Sequence, residues 1–160
     1  MGLIITGLAF AVVVGAWLWL RPSPRERRIN KLHTDAFANG LKLRYESLPD
    51  MSNEGRVREA KKPFTFFNRE FKEKQAWPSY TLLRTQGESS KYLPVGWYLQ
   101  QGEKLDRDVI EQHLFAKLAQ LPEEVVAVTQ WPLGIGIAID ERRELEIEQI
   151  KQWLDIIQWN

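Results

Sequence analysis

The chain has 160 residues, 44% hydrophobic and 27% charged, with 22 Lys+Arg against 21 Asp+Glu for a formal net charge of +1. That length holds one folded domain plus an appendage, and so even a charge balance excludes a generally basic nucleic-acid binder and an acidic disordered tail. The absence of cysteine removes disulfides, thiolate metal sites and cysteine nucleophiles, and only two histidines, His33 and His113, remain.

Leu3 to Leu20 are 18 consecutive uncharged positions. At 1.5 Å per residue such a helix reaches about 27 Å, near the ~30 Å hydrocarbon core, so the pattern predicts a transmembrane anchor over 1–22. Trp17, Trp19 and Leu20 close the run, where amphipathic rings favour the headgroup layer. A cleaved signal peptide needs a basic start and a small-residue cleavage site, and neither is present. Gly7, Ala11 and Gly15 recur every four positions, a small-residue stripe for helix–helix self-association.

Arg21, Arg25, Arg27, Arg28 and Lys31, with Glu26 as the one acid, give the next stretch +4 and are expected to contact lipid headgroups. Subtracting +4 from +1 leaves −3 on residues 32–160. The positive-inside rule then predicts a single-pass protein of the cell inner membrane, N-terminus outside and the bulk of the chain cytoplasmic. The stretch Leu18-Trp19-Leu20-Arg21-Pro22-Ser23-Pro24-Arg25-Glu26-Arg27-Arg28 resembles the membrane exit of the YajC-like accessory subunits of the bacterial preprotein translocase. That resemblance implies a small inner-membrane protein associated with secretion machinery.

Ser23, Pro24 and Glu26 form a capping box with Pro at the first helical position, and Asn39-Gly40 is a stop, so 23–40 reads as a basic juxtamembrane helix. Leu41, Leu43 and Tyr45 alternate with charged residues as in a half-buried strand, and 48–62 reads as an exposed loop. Phe64-Thr65-Phe66 suggests a strand, while Phe67 and Phe71 stand at helical spacing. Residues 80–85 and 92–100 read as strands joined by a polar loop. A helix is expected over 106–121, with Asp106 as its N-cap and Ile110, Leu114, Leu118 and Leu121 as its buried stripe. Val125–Thr129 and Leu133–Ile139 read as strands. Gly134, Gly136 and Ala138 give the second a nearly bare face that another group can approach closely. Asp140 is expected to cap a last amphipathic helix. The fold expected for 41–160 is therefore a cytoplasmic α+β domain, a small antiparallel or mixed sheet packed with about three helices.

No arrangement of catalytic residues stands out. His33 and His113 have no partner at metal-ligand spacing, Ser89-Ser90 lacks a nucleophile-elbow frame, and Gly134-Ile135-Gly136 has Ile139 where a phosphate loop needs its third glycine. Asp140, Glu141, Glu144, Glu146 and Glu148 read as a helix-dipole partner and a solvated face. No catalytic, cofactor or metal residue is assigned, and the chain is read as no enzyme. Residues 54–74 set seven basic against four acidic side chains, +3, among phenylalanines. Arg58, Lys61, Lys62, Arg69 and Lys72 there are either outward neighbours of core rings or a surface for lipid or single-stranded nucleic acid.

The function this predicts is a membrane-anchored accessory or scaffold protein whose domain binds another protein in a membrane or secretion complex. The alternatives are a membrane-tethered enzyme without a recognisable motif and a surface-binding module using 54–74. Expected partners are the lipid bilayer, a protein of that complex and a second copy through α-helix pairing. Nucleic acid is not expected.

Overall fold

Period-two alternation along six segments builds the sheet in this computed structural model, which describes residues 2–19, 22–49, 61–87, 89–102, 105–141 and 143–158. The strands are β1 (Lys42–Pro49), β2 (Lys61–Glu70), β3 (Tyr80–Arg84), β4 (Trp97–Gly102), β5 (Val125–Trp131) and β6 (Gly134–Ile139). They lie in the order β1-β2-β6-β5-β3-β4, every pairing antiparallel, and the sheet curls into a half-barrel. The helices are α1 (Gly2–Trp19), α2 (Pro24–Ala38), α3 (Arg107–Val109), α4 (Phe115–Gln120) and α5 (Ile147–Ile157), with a π turn, Ile110–Leu114, between α3 and α4. The chain divides into two units, Met1–Lys31 and Leu32–Asn160.

In the first unit α1 forms over nearly the whole apolar run. It corrects the predicted anchor: among the described residues no helix is long and apolar enough to cross a membrane. The single-pass inner-membrane placement, with its outside N-terminus and cytoplasmic bulk, falls with that anchor. The same finding corrects the fold class, which is an α+β domain of wholly antiparallel sheet without a spanning helix. The capping box is as expected: Glu26 N–H donates to Ser23 Oγ at 3.2 Å, and Ser23 N–H donates to Glu26 Oε2 at 2.6 Å. Those bonds hold the Glu26 carboxyl below its ordinary pKa, the backbone one foremost.

In the second unit, one row of paired residues explains the core. Leu43, Phe67, Ile137, Val128, Leu82 and Leu99 lie in register across all six strands and belong to the main apolar cluster. Leu32 and Ala36 of α2, Ile110 and Leu114 of the π turn, Leu118 of α4, and Ile150, Leu154 and Ile157 of α5 join that same cluster. One step along every strand, the side chains point the other way. There Phe64, Phe66, Leu83, Ala127, Ala138 and Leu48 form a second cluster made of strand residues alone.

Several boundaries differ from the sequence expectation. The ends of the predicted 48–62 loop are strand, Leu48 and Pro49 closing β1 and Lys61 and Lys62 opening β2; its interior, 50–60, lies outside the described residues. β2 runs on through Glu70, because Phe67 packs on the opposite face from Phe64 and Phe66 rather than along a helix. The last helix begins at Ile147, where the capping box is made by Glu146 and Gln149, not by Asp140. Asp106 has N-cap backbone geometry without a side-chain cap hydrogen bond.

Candidate functional site on the second face of the sheet

Two clefts open along the second face, and a polar row leads into one of them. Asn68, Gly136, Thr129, Thr81 and Gln101 are cross-strand partners from β2 to β4. Thr81 and Thr129 bring their hydroxyls to 3.2 Å. Asn68 is only 5% exposed, and its Oδ1 has no hydrogen-bond partner. It lies over Gly136, where a Cβ would stand 1.9 Å from that oxygen. The bare face predicted for β6 therefore exists to admit this amide, and Gly134 in the same way admits the Trp131 ring.

The cleft at this end has a volume of about 220 Å³ and is lined by Arg44, Glu46, Thr81, Gln101, Thr129 and Trp131 among others. Arg44 donates to Glu46 Oε2 at 2.7 Å and lies over the rings of Phe66 and Trp131, 5.5 and 5.8 Å from their centroids. Its mouth is shaped by a register shift at Thr81/Leu82 and by Gly102 at φ +124°, whose absent Cβ would stand 2.2 Å from Ser79 O.

The larger cleft, about 340 Å³, has an apolar floor of Pro49, Phe64, Leu83 and Val126, with Lys62, Glu123, Glu124, Asp140 and Arg143 around it. Arg84 forms one wall and is fully committed to structure. Nε donates to Val125 O at 2.9 Å, Nη2 donates to Leu121 O and Pro122 O at 3.1 and 2.9 Å, and the guanidinium stacks 4.7 Å from the Trp97 ring. Leu121 is the C-cap of α4, so the cation also meets the negative end of that helix. Burial lowers the Arg84 pKa, against Glu123 and Glu124, which raise it. Beside the apolar floor Arg143 Nη1 donates to Glu124 Oε1 at 2.9 Å.

The predicted site residues scatter over both units. Gly7, Ala11, Gly15 and Trp17 are exposed on α1, and among the described residues nothing beyond the helix's own backbone approaches Gly7 or Gly15. Leu3 and Trp19 belong to α1 by backbone; Leu20, Arg21 and Arg58 lie outside the described residues. Arg25, Arg27 and Lys31 are exposed and Arg28 half-buried on α2; Arg27 Nε donates to Pro22 O at 3.2 Å. The 54–74 phenylalanines turn out to be core: Phe66 and Phe67 are 0% exposed, so their rings offer no stacking surface. Lys62 is half-buried with its ammonium 6.0 Å from the Phe64 centroid, and Lys61 and Lys72 are exposed. Arg69 binds α5 through Asp155 Oδ1 at 2.5 Å, Gln158 Oε1 at 3.2 Å and Lys151 O at 3.4 Å.

Three arrangements escaped the sequence. His33 Nε2 is paired with Glu141 Oε1 at 3.0 Å, with the Tyr45 and Phe67 rings edge-on to its imidazole. His113 lies in the π turn. Lys117 donates to Gln158 O at 2.6 Å, and burial lowers its pKa. Among the described residues, no cluster of metal-ligating side chains occurs.

No family model matches the chain, and no curated protein does. Among solved structures, the chain is similar to the mycobacterial trehalose monomycolate transport factor A, TtfA, at 10% identity over 86% of this chain and 96% of that one, with a TM-score of 0.43. A likeness of that degree carries no argument about function.

Proposed function

We propose that the chain is a protein-binding accessory module in which α1 is the element that a partner polypeptide covers. The observation that supports this reading is the exposure of large apolar side chains all along α1: Ile5 70%, Phe10 71%, Val12 64%, Val13 65% and Trp17 60%. A helix that is apolar all round is a buried helix in its assembled state. Fully covering each such side chain is worth about 1.5–3 kcal/mol, enough in sum to drive a stable association.

The test is co-purification of the full chain under conditions that preserve weak complexes. Phe10→Asp with Val13→Asp is expected to release the partner, and Phe10→Leu to keep it. Retention of the same partner by the doubly charged variant would overturn the proposal.

A further inference from the structure

The two edges of the sheet are finished differently. β4 is closed by its own preceding loop: Ser90 N–H donates to Trp97 O at 3.0 Å, and Leu99 N–H donates to Ser90 Oγ at 2.9 Å. That loop occupies backbone groups which an edge strand otherwise offers to another chain. β1, at the opposite edge, has β2 as its one strand partner among the described residues. Its middle residue Tyr45 is 68% exposed, and the Arg44 and Glu46 side chains beside it are 48% and 30% exposed.

We propose that β1 pairs antiparallel with β1 of a second copy of this chain, about a two-fold axis through Tyr45, joining two six-stranded sheets into one. The charges select that occupant and that register. With the axis at Tyr45, Arg44 stands opposite Glu46 of the second copy, and Glu46 opposite its Arg44, so the attraction occurs twice. An isologous interface has this reciprocity built in. Moving the axis to Glu46 sets that carboxylate against its copy, and moving it to Arg44 sets two guanidiniums together, a like-charge pair that offsets the two Lys42–Glu46 attractions of that register; only the Tyr45 axis gives two attractions with no repulsion. Centring it between residues, one step away, reverses the faces, so that the helix-covered side of one sheet continues into the second face of the other. The Tyr45 register keeps the helix-covered faces on one side. It also pairs Leu43 with Ser47 and Lys42 with Leu48, a ladder running from Lys42 to Leu48.

The chain has no cysteine of its own, so thiols report this geometry without background. Residues directly opposite in an antiparallel pair have Cα atoms about 4.5–5.5 Å apart, within disulfide reach. Two copies of residue 47 would instead be four positions apart, about 14 Å, which is out of reach. Under mild oxidation the full-length Tyr45→Cys chain is expected to form a covalent dimer at least tenfold faster than Ser47→Cys. Adding Arg44→Glu to Tyr45→Cys should remove most of that advantage, and Arg44→Glu with Glu46→Arg should restore it, with circular dichroism confirming that each variant is folded. Equal rates at positions 45 and 47, or no recovery in the charge-swapped chain, would overturn the proposal.

Discussion

Gly136→Ala tests whether the second face of the sheet is built around the Asn68 amide. The added methyl would stand 1.9 Å from Asn68 Oδ1 and 3.1 Å from Thr129 Cγ2, where real Cβ contacts are essentially never under 3.0 Å. The amide must therefore retreat by about an ångström, and Asn68 is only 5% exposed. Overpacking of this kind costs about 1–3 kcal/mol, against a gain of roughly 0.5–1 kcal/mol from replacing glycine in a strand. The expected net loss is about 1–2 kcal/mol. Asn68→Ala removes both the obstacle and the unpaired carbonyl, whose burial costs about 1–3 kcal/mol, so alone it should change stability by less than about 1 kcal/mol. The double variant should recover at least about 1 kcal/mol of the glycine's loss, because the two sites share one contact. Urea unfolding of the full chain measures this as a midpoint shift at constant slope. If Gly136→Ala is neutral, or if Asn68→Ala does not rescue it, the close packing of amide on glycine is wrong.

Arg84→Ala removes hydrogen bonds to three carbonyls together with the Trp97 stack, and should cost about 2–4 kcal/mol in chemical denaturation. Arg84→Lys should rescue less than half, since an ammonium cannot serve that fork and ring together. Acidification should loosen the start of α2. The Glu26 pKa is lowered from 4.5, so its capping contribution is complete above that value and is lost as pH falls through the lower folded pKa. The protection of the Ser23 amide, relative to its intrinsic exchange rate at each pH, should fall only below about pH 4.5, and a fall already at pH 6 would contradict the assignment. A double-mutant cycle on His33→Ala and Glu141→Ala should give a coupling of about 0.5–1.5 kcal/mol; zero coupling would show that the pair does not tie α2 to the end of β6.

What could be read from the sequence was local. Ser23 and Glu26 are three residues apart and satisfy each other whatever the rest of the chain does, so the start of α2 was legible. The isoleucine–glycine alternation of β6 was legible for the same reason, since strand side chains alternate face by face. The last helix start was not, because two acids, Asp140 and Glu146, both precede it and only the fold decides which finds a reciprocal partner. The group that β6 admits could not be named, since Asn68 lies far from Gly136 in sequence. His33 and Glu141 are 108 positions apart, and no spacing rule joins them. The π turn at Ile110–Leu114 sits inside a run whose apolar spacing reads as plain α-helix. The apolar run at the start was legible as a helix from its composition, and α1 covers Gly2–Trp19.

Photo-crosslinking from Phe10 of the full chain in its native setting tests the central claim most directly. The account predicts a covalent adduct with a different polypeptide, formed at position 10 and lost when Val13→Asp is introduced. Recovery of the chain as a free monomer without any such adduct would contradict it.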